Sequence, residues 1–321
     1  MIRTLAGIHH VTAICGDPQQ AVNFYAGTLG LRLVKRTVNF DDPRAYHLYF
    51  GDATGTPGTI VTFFAWPNAQ RGTVGRGQIT AIALAVPTDA LPFWQRRLEA
   101  AGVPTRRTQR FDEDVLQFPD PDGLALELVA SAGVAERPPW TVADIPPDVA
   151  IRGVQSVTLT VHPVAASGAM LVQVLGFREL ARAGERRRFA LGPGSAGAFI
   201  DLVDGSDRAA GRIAVGQVHH VAWRTPSEEE ELAWRQDLLA HGYTVTPVID
   251  RQYFRSIYFH EPGGVLYEIA TDPPGFARDE PVATLGSQLM LPPWLERYRP
   301  QLEATLPPLQ LPTLPPTGPR A

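Results

Sequence analysis

Apolar positions along the chain fall into four stretches with one rhythm. Each begins with a strand-like run, passes through a helical stretch that stops at or near a glycine, and ends in several short strand-like runs. The first run is Ile8 to Ile14. Asp17 and Pro18 then open a helix carrying Val22, Tyr25 and Leu29, and Gly30 stops it. Asp as N-cap, Pro in the first turn and Gly after the last are ordinary helix punctuation. Strand-like Tyr46 to Phe50 and Thr59 to Phe64 complete this stretch. The second starts at Ile79 to Val86, has a helix with Leu91, Trp94 and Leu98 before Gly102, and ends in Leu124 to Leu128. The third starts at Val154 to Val161, is helical over Met170 to Leu175 before Gly176, and ends in Phe199 to Leu202. The fourth starts at Val218 to Arg224 and ends in Val265 to Ile269. Its helix opens with a capping box, Ser227 and Glu230, and carries Leu232, Arg235 and Leu239 up to Gly242.

Four β-α-β-β-β units are thus predicted. Short helices outnumbered by strands give an α+β class, with the units forming two curved mixed-sheet cups. Two units occupy residues 1–137 and two occupy 151–290. Between them lies a proline-rich linker, 138–150, beginning with Pro138 and Pro139. Residues 291–321 are predicted to hold a short helix ending at Ala304 and then, from Pro307, an extended proline-rich tail.

Composition narrows the function classes. At 321 residues and a net charge of −4, the chain offers no basic surface for nucleic acid or an anionic membrane. No apolar run is long enough to span a bilayer, and no secretory signal opens the chain. With a single cysteine, Cys15, expected as a small core residue, these features point to the cytoplasm. A homo-oligomer is compatible with the sequence.

The chemistry lies in the histidines. Four of the eight form two pairs, His9-His10 and His219-His220, each at the start of a unit's first strand. Aligning the four first strands puts His10, Ala81, Ser156 and His220 in one column. Aligning the last strands on their preceding glycines gives a second column of Thr62, Glu127, Asp201 and Glu268. Units one and four together hold two histidines and one carboxylate, the donor set that leaves one face of an Fe(II) ion open. Strand residues alternate between faces, so one member of each pair faces the cup. Spacing alone does not decide which. His10 is favoured because Ile8 and Thr12 share its face while Val11 points oppositely, and His220 follows by column. Glu127 and Asp201, without histidines nearby, read as residual polar positions. His260 precedes a turn and is expected to be exposed. The aromatic clusters Phe63-Phe64-Trp66 and Tyr253-Phe254 are more readily core than substrate wall.

These stretches resemble the vicinal-oxygen-chelate superfamily of glyoxalases, bleomycin-resistance proteins and extradiol dioxygenases. Within it they are most similar to ring-cleaving dioxygenases acting on hydroquinones. The likeness rests on Gly7 to Thr12, Gly30 to Lys35, Thr37 to Pro43, Val218 to Ala222, Asp250 to Phe259 and Leu291 to Leu295. It implies Fe(II) held by His10, His220 and Glu268, with His9, Thr12, His219, Arg251 and Tyr258 around the metal. Mn, Zn or Ni can stand in for Fe(II) in purified protein. Because unit three offers Gln155 and Ser156 where the catechol-cleaving members carry a ligand, unit one is expected to pair with unit four across the linker. Units two and three would then close a metal-free cup.

The function so implied is insertion of O₂ into a hydroquinone- or catechol-type aromatic diol. His9 or His219 would accept a phenolic proton, Tyr258 would hydrogen-bond a bound oxygen, and Arg251 would offset negative charge. A glyoxalase-type isomerase or lyase needs a fourth protein ligand, and Thr62 stands in that column. A non-enzymatic small-molecule-binding protein would need apolar residues where His10, His220 and Glu268 stand.

Overall fold

The computed structural model describes residues 3–312, and all four units form. Unit one contains β1 (Ile8–Cys15), β2 (Arg32–Val38), β3 (Tyr46–Gly51) and β4 (Ile60–Ala65). Unit two contains β5 (Gln78–Val86), β6 (Arg106–Arg110), β7 (Glu113–Pro119) and β8 (Ala125–Ala130). Unit three contains β9 (Val154–Val161), β10 (Arg178–Ala183), β11 (Arg186–Ala190) and β12 (Phe199–Asp204). Unit four contains β13 (Val218–Thr225), β14 (Ile249–Asp250), β15 (Arg255–His260) and β16 (Leu266–Thr271).

The units pair out of chain order. One eight-stranded sheet runs β14-β15-β16-β13-β1-β4-β3-β2, joining units four and one. The other runs β10-β11-β12-β9-β5-β8-β7-β6, joining units three and two. Interleaving was expected for unit one, whose partner histidine lies in unit four. Within each unit the first and last strands are parallel neighbours; the seam between units, β1 with β13 or β5 with β9, is antiparallel.

One face of each sheet packs against helices, and the main core fills that layer, with Val11, Phe63, Trp94, Trp223 and Trp234 almost wholly buried. Asp17 caps the first helix, α1 (Pro18–Val22), by accepting from the amides of Gln19 and Gln20. From Asn23 to Thr28 the helix widens to a π-turn, which brings Phe24, Tyr25 and Ala26 all inward. Helix α2 covers Leu91–Ala100, α3 Val164–Gln173 and α4 Glu228–Ala240. The Ser227 hydroxyl accepts from the Glu230 amide (3.2 Å), the N-cap half of the expected capping box. The buried face of α4 differs from the one expected: Glu231, Trp234 and Leu238 point inward, while Leu232 and Leu239 are exposed. Burying the indole of Trp234 removes more apolar area from water than either leucine, and that sets the rotation. Short helical turns and α5 (Arg299–Thr305) follow the last unit. The proline-rich tail beyond residue 312 lies outside the described residues.

Two glycines let the cups touch. Gly7 (φ +116°) and Gly153 (φ +126°) precede β1 and β9. A Cβ on Gly7 would sit 2.9 Å from the Gly197 oxygen, and one on Gly153 2.7 Å from the Gly58 oxygen. The first strands of units one and three thus each start against the turn before the other's last strand, at backbone distance, where no side chain fits.

The first sheet's concave face is floored by the segment after β16. Phe276 and Leu285 pack there with Val34, Tyr49, Ile60 and Phe254. The fully buried ammonium of Lys35, on β2, pins that segment: it lies 2.8 Å from Asp279 and 2.8 Å from Glu280. Glu280 also accepts from the amides of Gly286, Ser287 and Gln288. Lys35→Met keeps the length of the side chain and strands both carboxylates. It should cost about 3 kcal/mol or more, read as a lowered midpoint in urea unfolding; an unshifted midpoint would show that this ion pair does not hold the floor.

Candidate functional site

The seam between β1 and β13 assembles the site. In it Thr12 pairs with His220 and His10 with Ala222. Across the next seam Ala222 pairs with Glu268, and then Glu268 with Tyr258. His10, Glu268 and Tyr258 therefore lie in one row across the sheet, with His220 and Thr12 in the next. The pairing register slips between Ile8 and His10. Ile8 consequently joins the helix-side core with Val11, and only Thr12 shares the cavity side with His10. The inference from Ile8 was wrong, because a bulge breaks strand alternation.

One nitrogen each from His10 and His220 and one oxygen of Glu268 converge within 4.8 Å of one another, all buried. The Nε2 atoms of His10 and His220 stand 3.4 Å and 2.8 Å from the same carboxylate oxygen, Oε2. Despite that proximity, His220 Nε2 and Glu268 Oε2 have no hydrogen-bond partner among the described residues. Burying such atoms unsatisfied is costly, and a metal ion between them removes the cost. The donor set fits one: two imidazoles and a carboxylate. Burial lowers His220 below its ordinary pKa. Burial alone would raise Glu268, but His10 and His220 outweigh it and hold the group well below the usual carboxylate range. Both therefore favour the unprotonated forms that metals need.

The first member of each pair sets the second. His9 Nδ1 lies 2.9 Å from His10 Nδ1, and His219 Nδ1 lies 2.7 Å from His220 Nδ1. These bonds use the Nδ1 atoms and direct both Nε2 atoms at Glu268. His9 packs against His10 and Phe254, with ring centroids 5.1 Å from each. His219 is on the cavity wall, and burial with the adjacent His220 presses it down to about 3. Ser256 Oγ donates to the second oxygen of Glu268.

A cavity of about 400 Å³ opens from these groups. Phe40, Phe64, Trp66 and Phe254 line it, whereas Phe63 and Tyr253 are core. The expectation that these aromatic clusters are core thus holds for one member of each. Arg251 and Tyr258 are also on the wall. Arg251 Nε donates to the Tyr258 hydroxyl (3.0 Å) and Nη1 reaches Asp41 (3.0 Å). Burial raises the Tyr258 phenol above its ordinary value. His260 is exposed and Cys15 buried, as expected.

His47 was not singled out in the sequence. It lines the same cavity, with Nδ1 2.9 Å from the Tyr49 hydroxyl and Nε2 2.7 Å from Thr62 Oγ1. Thr62 in turn donates to Thr12 Oγ1 (3.0 Å). A signal was present: His47 and Tyr49 stand two apart in an otherwise apolar strand, so both face one side.

The second cup solves the same columns with arginine. Glu127 lies 2.6 Å from Arg110. Asp201 is held by Arg188 (2.8 Å) and Arg186 (3.0 Å), and Arg188 also reaches Glu113 (2.6 Å). Among the described residues, His10, His220 and Glu268 are the one cluster suited to a metal. Glu127 and Asp201 are thus the anionic half of a buried ion-pair network, more than residual polarity.

Known proteins are similar to this chain in sequence and fold. The sequence profile of the Glyoxalase/Bleomycin resistance protein/Dioxygenase superfamily matches residues 7–128 and 153–276. "Putative ring-cleaving dioxygenase MhqO" of Bacillus subtilis (strain 168) is 46% identical over 311 residues, covering 97% of this chain and 99% of its own. "Chlorohydroquinone/hydroquinone 1,2-dioxygenase" of Sphingobium indicum is 35% identical over 309 residues, covering 94% and 95%. The crystal structure of a "putative dioxygenase" from Bacillus subtilis subsp. subtilis str. 168 superposes with a TM-score of 0.92 at 45% identity, over 97% of this chain and 100% of that one. With four units folded into two cups, a profile match in both halves and relatives alike over nearly the full length, the protein belongs to the glyoxalase/bleomycin resistance protein/dioxygenase superfamily.

Proposed function

We propose that the protein is an Fe(II)-dependent, extradiol-type dioxygenase that cleaves the ring of a hydroquinone-type diol, with His10, His220 and Glu268 as the metal ligands. The observation that carries this reading is the convergence of those three buried groups, from the first and last units, with His220 Nε2 and Glu268 Oε2 left without hydrogen bonds. The names of the full-length relatives support the reaction class. Bound at this donor set, Fe(II) would supply open positions at which diol and O₂ meet and exchange electrons.

The protein's share is orientation and charge. Phe40, Phe64, Trp66 and Phe254 offer flat walls to an aromatic ring. Tyr258 accepts from Arg251 and remains a protonated phenol, so its own proton is available to an oxygen of the bound diol. The Arg251 guanidinium offsets negative charge that develops there. If each ligand histidine uses Nε2 for the metal, its Nδ1–H donates to the neighbouring ring. His9 and His219 are then neutral Nε2–H tautomers whose Nδ1 lone pairs are taken, and both serve to fix the ligand rings. A glyoxalase-type site would want a carboxylate where Thr62 stands, already engaged by His47 and Thr12.

Anaerobic loading with Fe(II), followed by oxygen-electrode assays with hydroquinones and catechols, should show uptake with the para-diols. Uptake with catechols alone would reassign the substrate, and none with any diol would sink the reading. Glu268→Gln should retain the fold by circular dichroism yet lower iron affinity by more than the roughly 10–100-fold typical of losing an outer partner. Full iron retention with full activity would remove Glu268 from the metal.

A further inference from the structure

The chain of hydrogen bonds behind the metal ligands has a direction. Tyr49 Oη, His47, Thr62 Oγ1 and Thr12 Oγ1 are linked at 2.9, 2.7 and 3.0 Å. In the last link the geometry makes Thr62 the donor. A threonine hydroxyl has one proton, so Thr62, having given its proton to Thr12, must accept from His47. His47 Nε2 therefore carries a proton. A neutral imidazole has only one, so Nδ1 is a lone pair and accepts from the Tyr49 hydroxyl. Burial favours this neutral ring, pushing His47 well below its ordinary pKa. Thr12 receives a bond on its oxygen and keeps its own proton, which makes no further hydrogen bond among the described residues. Thr12 is on the cavity wall with His10, His220 and Glu268.

We propose that Tyr49, His47 and Thr62 form a one-way hydrogen-bond wire that fixes the Thr12 hydroxyl as a donor into the cavity, toward an oxygen of the ligand bound there. His47 and Thr62 are positioning residues that act through Thr12. Each donor in such a chain polarises the next, so Thr12 is both aimed and strengthened. The wire belongs to unit one alone. The matching columns of the other units carry Glu127, Asp201 and Glu268 in place of Thr62, so this cup has exchanged one carboxylate for a neutral relay. The catalytic consequence rests on the dioxygenase reading; the polarity of the wire does not.

Two measurements separate these. In metal-free protein labelled with ¹⁵N-histidine, and assigned by the loss of signals in His47→Gln, His47 should be protonated at Nε2 and bare at Nδ1. The opposite tautomer, or a charged ring at neutral pH, overturns the wire. In Fe(II)-loaded protein Thr62→Val, which breaks the link, should lower kcat for hydroquinone about tenfold, roughly the worth of one hydrogen bond. KM and iron content should stay near wild type, and Thr62→Ser should restore the rate. An unchanged kcat in Thr62→Val overturns the positioning role, as does a loss explained by iron content. A wild-type protein that turns over no diol defeats the proposed function, and the tautomer then decides the wire by itself.

Discussion

The antiparallel pairing of β1 with β13 is the contact on which the chemistry depends. Neither unit one nor unit four holds a complete donor set: His10 comes from one, His220 and Glu268 from the other. Had β1 paired with β5, His10 would face a unit whose matching positions are Ala81 and Glu127. Register is as important as partner. A slip of one residue turns every side chain to the opposite face, which would send the imidazoles into the helix-side core and Val11 into the cavity. That core resists the slip, because Val11, Val221 and their neighbours lose their burial if it occurs.

The two cups are alternative answers to one problem. Both bury carboxylates at the same column, and a buried carboxylate needs a compensating charge. In the second cup Arg110, Arg186 and Arg188 supply it. In the first cup Glu268 meets two imidazole edges and the Ser256 hydroxyl, which leaves one oxygen and one nitrogen without partners. The carboxylates of the second cup already have fixed cationic partners. The first cup sets two imidazoles against its carboxylate, a donor set suited to a metal ion, and beside them opens an aromatic-walled cavity.

Much of this is legible in residue order. The punctuation of Asp17, Pro18 and Gly30, the Ser227–Glu230 cap and the fourfold rhythm come from local backbone preferences, and the structure follows them. The doubled histidines and the glycine-aligned column of Glu268 are equally local. Other features hide because they depend on neighbours distant in sequence. His47 has no pair and no motif, and its meaning appears only when β3 and β4 lie side by side and Thr62 meets its Nε2. Phe63 and Phe64 are adjacent and chemically identical, yet one is core and one is wall. The rotation of α4 depends on the pocket that receives Trp234, and the bulge after Ile8 on the strand opposite it.

The sequence by itself determined the units, their number, and which residue types stand at which strand positions, because alternation and capping operate within a few residues. It also determined that units one and four carry complementary parts of a donor set. Only the tertiary structure decided that His9 and His219 spend their Nδ1 atoms on their neighbours, that arginines pair with the carboxylates of the second cup, and that a histidine with no motif feeds Thr12. Hydrogen-bond direction and charge compensation are properties of groups brought together in space, and no spacing along the chain encodes them.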